Sequence, residues 1–314
     1  MPDGLKTLET RRGTYRLQNV DVWSARFRQP DGRGILAPRA RVLALGSCFA
    51  TGAARYLRRR GYTARRYPGG LLYNSHVVRL ELEHVLGGEE WPAEIALAAD
   101  SGWAHRFRRI SAQTPEELGK LDRRASRRAR EAISRADLIL ILLGTTTEVW
   151  RDAPSGQPTN QIPPPETYHA GDWRLDAGRL DALRDDVAAI GRTLREHTEA
   201  RQVYSVCPIP LHATWLDRHI IEANGRSKAL LRTALEIELD EADTYLPLWD
   251  WTLAQTERRS PTKRDGRHFD RRGFNRIMLF AESYLATENI PPLGARERIH
   301  ATAEDLRERI TGRR

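Results

Sequence analysis

Cysteine, lysine and long apolar runs are all scarce in this chain, and each shortage removes a class of explanation. Only two cysteines occur in 314 residues, Cys48 and Cys207, both at the ends of apolar runs rather than in a spaced framework. That excludes a disulfide scaffold and a zinc site built on paired cysteines. No apolar run approaches the roughly 20 residues needed to cross a bilayer. Met1 to Arg12 lacks the apolar segment followed by small residues that a secretory signal requires, so a cytoplasmic location is the default expectation. The Gly69-Gly70 pair belongs to neither G-x-G-x-x-G nor G-x-x-x-x-G-K-[ST], which leaves a dinucleotide fold or a P-loop without support. The histidines show no paired metal-ligand spacing, and no metal is expected.

Lysine is represented only by Lys6, Lys120, Lys228 and Lys263, against 51 Lys and Arg together and a net charge of +9. The arginines are spread along most of the chain. Such a distribution describes a solvated, Arg-coated surface rather than the clustered basic face that nucleic acid would need. With 40% hydrophobic and 30% charged residues, the composition is that of a globular protein.

Five short strand-like runs alternate with helical segments. Arg41 to Leu45, Tyr62 to Tyr67, Asp137 to Leu143, Arg201 to Cys207 and Thr244 to Leu248 read as strands. The third is apolar at almost every position, as a strand buried on both faces should be. Helices are predicted over Ala50–Arg60, Ser75–Leu86, Pro115–Ala136, Leu180–His197, Ser227–Leu239 and Arg271–Ala286. The alternation predicts a doubly wound α/β fold, with a five-stranded parallel flavodoxin-like sheet and helices on both faces. Residues 1–40 are predicted as an irregular arm packed on the domain, 41–290 as the α/β catalytic domain and 291–314 as an Arg-rich helical tail. The stretch from Thr145 to about Asp176, with Pro154, Pro158 and Pro163 to Pro165, reads as a lid or rim.

In such sheets the ligand lies beyond the carboxyl ends of the strands, so the loops there are the candidate walls. The first strand ends in Gly46-Ser47-Cys48, a small-residue turn at a helix start where free N–H groups and the helix dipole favour a thiolate and an oxyanion. Late in the chain, Asp265 precedes His268 by three residues. A carboxylate so placed can accept one ring N–H, fix the tautomer and leave the other nitrogen facing a nucleophile. Glu148 and Trp150 follow the third strand, and His105 and His212 fall in loops expected to face the cleft.

Gly46-Ser47-Cys48-Phe49-Ala50 resembles the signature of the GSCFA family, a bacterial branch of the SGNH-type hydrolases. Leu72-Tyr73-Asn74, Leu143-Gly144-Thr145, Asn224 with Ser227-Lys228, Tyr245-Leu246-Pro247 and Asp265 to His268 resemble further blocks of that family in the same order, over roughly residues 40 to 285. The resemblance implies an SGNH-like fold and an acyl-transfer enzyme, either an esterase or thioesterase or an O-acyltransferase. Cys48 falls on the nucleophile position, with Ser47 the alternative if the turn is offset by one residue, and His268 and Asp265 complete the catalytic set. The SGNH block after the third strand usually carries an asparagine for the oxyanion, whereas Gly144 here leads into Thr145-Thr146-Thr147. The oxyanion donors are then the N–H of Cys48 or Gly144, an N–H of the Gly69-Gly70 loop, or the side chain of Asn74 or a threonine such as Thr145. Ser227 and Lys228 are either a helix N-cap and a surface charge or substrate contacts. No cofactor is implied beyond an acyl donor such as a thioester. The substrate class is a small-molecule, acyl-carrier or glycan-type acyl compound. A non-catalytic binding protein on the same fold is the alternative.

Overall fold

The computed structural model describes residues 6–10, 13–17, 34–91, 94–99, 102–144, 147–160, 162–163, 171–254 and 268–287. Its central sheet is built from β1 (Arg41–Gly46), β2 (Thr63–Arg66), β3 (Leu138–Leu143), β4 (Arg201–Val206) and β5 (Thr244–Tyr245). Every neighbouring pair is parallel. The spatial order is β2-β1-β3-β4-β5, the flavodoxin-like arrangement, whose switch point lies between β1 and β3. Leu142 of β3 faces Gly46 on one side and Ser205 on the other. The turns after β1, β3 and β4 therefore emerge side by side.

Among the described residues, seven α-helices surround the sheet: α1 (Cys48–Arg59), α2 (Ser75–Leu82), α3 (Pro115–Ser134), α4 (Leu180–His197), α5 (Ile220–Glu238), α6 (Leu248–Ala254) and α7 (Arg271–Leu285). The period-two alternation of the strands divides the core into two layers. Val42, Ala44, Leu138, Leu140 and Leu142 pack with Phe49, Ala53, Leu57, Ile277, Met278 and Ala281, which is the α1 and α7 side. Leu43, Leu45, Ile139, Ile141 and Leu143 pack with Val77, Val78, Ile133, Val187, Ile190 and Leu235, the side of α2 to α5. All six residues of β3 are buried, in keeping with its uninterrupted apolar run.

Local chemistry sets several boundaries. Thr114 caps α3 by accepting from the Glu117 N–H at 3.2 Å, with Pro115 in the first turn, a helix start of the kind the sequence signals. Asp270 caps α7 by accepting from Gly273 N–H at 2.8 Å. Gly52 lets α1 approach α7, because a Cβ there would lie 2.6 Å from the Phe274 ring. The same two helices are joined by Glu282, buried and bonded by Tyr56 Oη at 2.9 Å and by Arg60 Nε at 2.8 Å.

The structure departs from the sequence expectation at several places. Residues within the N-terminal arm form an antiparallel pair, Lys6–Thr10 with Gly13–Leu17, where irregular chain was expected. The α2 helix ends at Leu82 and continues as one wide π turn, Glu83–Gly87. The stretch after it holds a small antiparallel sheet of Ala96–Ala99, Gly102–His105 and Ser111–Ala112. The segment read as a lid or rim contains an antiparallel hairpin, Val149–Asp152 with Trp173–Asp176. The fifth strand is only two residues long, and α6 takes over at Leu248. The α5 helix starts at Ile220, seven residues before Ser227, which lies inside the helix and not at its N-cap. The predicted Arg-rich tail, 291–314, lies outside the described residues. No helix among the described residues is long and apolar enough to cross a membrane.

Candidate active site

Gly46 makes the turn after β1 sterically feasible. Its φ is +134°, and a Cβ there would sit 2.3 Å from the carbonyl oxygen of Leu142 on the neighbouring strand. Ser47 is extended at φ −77° and ψ −165°, and α1 begins at Cys48. The nucleophile candidate thus occupies the first position of a helix that starts at the carboxyl edge of the sheet, beside the switch point.

The sulfur of Cys48 lies 3.9 Å from Nε2 of His268, although 220 residues separate them in sequence. Cys48 is half-buried, and so is His268, which precedes the Asp270 cap of α7. The contact between α1 and α7 through Phe49 and Phe274, 4.9 Å between ring centroids, fixes the base of this arrangement. A thiol and an imidazole this close come within proton-transfer reach once the contact tightens by some tenths of an ångström, as such contacts do when a substrate binds. Asp265, the expected orienting carboxylate, lies outside the described residues, as does Thr145.

Ser47 is directed elsewhere. Its side chain is fully buried, makes no helix-cap bond, and its hydroxyl faces the sulfur of Cys207 at 3.6 Å. Cys207, which follows β4, is itself fully buried.

Of the candidate oxyanion donors, the Gly70 N–H is turned inward to the Tyr67 carbonyl at 3.4 Å, within the tight turn that its φ of +103° permits. The N–H expected to face an oxyanion is therefore engaged in the loop's own turn. Asn74 is buried and caps α2, its Oδ1 accepting from Val77 N–H at 2.9 Å, while its Nδ2 has no hydrogen-bond partner among the described residues. The loop that carries Asn74 is tied to the nucleophile turn by Leu72 N–H donating to Gly46 O at 3.1 Å. Gly144 follows β3 with φ +69° and accepts from Lys228 Nζ at 3.3 Å.

Lys228 is buried, contrary to a surface charge. The earlier start of α5 is the physical reason, since it turns this position toward the sheet. Ser227 is also buried, and its Oγ accepts from Thr147 N–H at 2.7 Å and lies 3.0 Å from Thr147 Oγ1. The Ser227-Lys228 pair thus holds the two ends of the turn after β3.

Glu148, already singled out in the sequence after the third strand, and Asn160, which the sequence reading did not mark, both hold loops at this edge. Glu148 accepts from Thr214 Oγ1 at 2.6 Å and from Trp215 N–H at 3.1 Å, gripping the loop after β4. Asn160 accepts from Tyr73 N–H at 3.0 Å and donates from Nδ2 to Leu71 O at 2.7 Å, gripping the loop after β2. His105, by contrast, does not face the cleft. It is fully buried and bonded to Asp122 at 3.0 Å, and burial lowers its pKa despite that carboxylate. It belongs to an internal network in which Arg108 bonds Glu81 and Asp122 and Tyr67 donates to Glu81. His212 is exposed. Among the described residues no group of three or more His, Cys, Asp or Glu side chains is placed to hold a metal ion.

Comparison with known proteins agrees with the span of this architecture. A family model described as the GSCFA family matches residues 41–280, from the first residue of β1 to within α7. No curated protein and no solved structure matches the chain.

Proposed function

We propose that this chain, which belongs to the GSCFA family, is an acyl-transfer enzyme that works through a covalent thioester on Cys48. The observation that carries the reading is the 3.9 Å approach of Cys48 Sγ to His268 Nε2 at the start of a helix beside the switch point. A packing cysteine has no need of an imidazole, and a nucleophilic one does.

In this mechanism His268 takes the thiol proton as Cys48 attacks the carbonyl carbon of an ester or thioester. The tetrahedral oxyanion collapses, the leaving alkoxide or thiolate takes the proton from His268, and the acyl group remains on the sulfur. Water or an acceptor hydroxyl, deprotonated by His268, then attacks the thioester carbonyl, the C–S bond breaks, and the departing Cys48 sulfur takes the proton back from His268. We assign Asp265 to hold the imidazole and Asn74 to donate to the oxyanion. The assignment of Asn74 is supported by its cap bond, which uses Oδ1 and leaves Nδ2 available, and by the link from Leu72 to Gly46. Because a thioester keeps a high group-transfer potential, the chemistry suits transfer to an acceptor or thioester substrates somewhat better than plain ester hydrolysis. An SGNH-like ancestry fits the nucleophile after β1, the first strand of the central sheet, and the histidine just before α7.

The test is turnover of a panel of acyl thioesters and activated esters by the wild type and three variants. Cys48→Ala and His268→Ala are expected to lose turnover, while Ser47→Ala, whose hydroxyl faces Cys207, retains it. Turnover that survives Cys48→Ala and disappears in Ser47→Ala would move the nucleophile one residue earlier. A folded wild type inert to every donor would favour the binding-protein alternative.

A further inference from the structure

Asn160 contributes both ends of its side-chain amide to one short piece of backbone. Oδ1 accepts from Tyr73 N–H at 3.0 Å and Nδ2 donates to Leu71 O at 2.7 Å. The Tyr73 N–H is only a donor and the Leu71 carbonyl only an acceptor, so the orientation of the amide is dictated by its partners. The side chain is buried, which makes either bond costly to leave unmade. Asn160 is itself anchored, because its N–H and the neighbouring Thr159 Oγ1 both donate to Arg106 O, at 3.0 Å and 2.9 Å. The gripped segment leads in two directions toward the candidate site. Leu72 donates to Gly46 O, two residues before Cys48, and Asn74 follows Tyr73 directly.

We propose that Asn160 is a positioning residue for the Cys48 centre, holding Leu71 to Tyr73 so that Asn74 and the Gly46 to Cys48 turn keep a fixed relation. The inference rests on the acyl-transfer reading and deepens it. It also changes the role of the polar segment after β3. That segment, expected as a lid or rim, uses Asn160 on the loop after β2 and Glu148 on the loop after β4, so residues 147–160 act as a brace across the carboxyl edge. Asn160 touches no reacting atom and acts through the backbone it holds.

Asn160→Asp is the informative change, since it keeps the shape and the acceptor for Tyr73 N–H but turns a carboxylate oxygen toward Leu71 O, where an acceptor meets an acceptor. Asn160→Ala removes both bonds. The full-length wild type and both variants are compared by hydrogen–deuterium exchange in peptides covering 68–76 and 41–59. Acylation by a short-chain acyl thioester is followed by intact mass over a range of donor concentration.

The expected result is exchange about tenfold faster in 68–76 with 41–59 unchanged. The maximal acylation rate should fall by about tenfold or more at an unchanged half-saturating donor concentration, since misplacement on the ångström scale is enough for such losses. Unchanged exchange in 68–76, or an unchanged acylation rate once that segment has opened, overturns the proposal. Loss of protection throughout the chain in both variants also overturns it, because Asn160 would then support the fold at large. A wild type that forms no adduct with any donor brings down the acyl-transfer reading and the positioning role with it. A wild type that acylates no faster than Asn160→Asp brings down the positioning role alone.

Discussion

Gly46→Ala should be among the most damaging single-methyl additions to this chain. The residue sits at φ +134°, outside the regions an L side chain adopts readily, and forcing a non-glycine residue there costs on the order of 1–3 kcal/mol. Its added Cβ would also meet Leu142 O at 2.3 Å and Leu142 C at 3.1 Å. That neighbour is backbone in the central strand and cannot swing aside, so overpacking adds roughly another 1–3 kcal/mol. The sum, about 2–6 kcal/mol, corresponds to a drop in melting temperature of roughly 4–24 °C for a domain of this size. Gly61→Ala supplies the control. Gly61 has φ +95° and nothing within 4 Å of the point its Cβ would occupy, so only the conformational cost of about 1–3 kcal/mol applies. Calorimetry of the two variants, together with the rate of iodoacetamide labelling at Cys48, separates the two contributions. A Gly46→Ala protein that melts no lower than Gly61→Ala and labels at the wild-type rate would refute the close approach of β1 to β3 as the reason for glycine.

The remaining expectations concern the internal network, the acid limb and the thiols. Arg108 and Glu81 are both fully buried and doubly bonded to each other, so Glu81→Gln should lower the urea-unfolding free energy by about 3 kcal/mol, the scale for breaking a buried pair from one side. Burial raises the Asp122 carboxyl, but the His105 hydrogen bond and the Arg108 charge more than offset it and hold its pKa below the ordinary value. Its stabilising contribution is therefore present above about pH 4 and is lost as pH falls through the lower folded value. Asp122→Asn should flatten the acid limb of melting temperature against pH. Glu282 has the opposite sign, since burial pushes its pKa up despite Arg60, so its contribution is full at acid pH and declines as pH rises through the folded value. Glu282→Gln should flatten that slope. In the folded protein iodoacetamide should label Cys48 and spare Cys207, which is fully buried, and peptide mapping of the alkylated protein reads the difference.

Legibility in the sequence followed the strength of the local signal. Leu138 to Leu143 was plain because six consecutive apolar residues, too few for a buried helix and closed by Gly144, suit a strand covered on both faces. The Cys48 to His268 pairing was accessible through the motifs at either end and the doubly wound pattern between them. The hairpin Val149–Asp152 with Trp173–Asp176 was hidden by the prolines between its strands and by four-residue strands whose faces are mostly half-exposed. The start of α5 was misplaced because Pro208, Pro210 and Gly225 suggest loop, whereas Gly225 is tolerated inside the helix with open space around it. With the start misplaced, Lys228 was left as either a surface charge or a substrate contact, whereas the structure buries it inside the helix against Gly144 O. Asn160 had no signal at all, since one asparagine in a polar, proline-rich stretch follows no period. Its importance comes from tertiary contacts with Leu71 and Tyr73, residues 89 and 87 positions away.

The central claim is a covalent acyl-enzyme at Cys48, and intact-mass analysis after brief incubation with short-chain acyl thioesters tests it most directly. A single acyl adduct is expected on the wild type, mapped to the peptide containing Cys48, absent from Cys48→Ala and formed more slowly by His268→Ala. An adduct of equal rate and yield on Cys48→Ala, or none on a folded wild type with any donor, would contradict it.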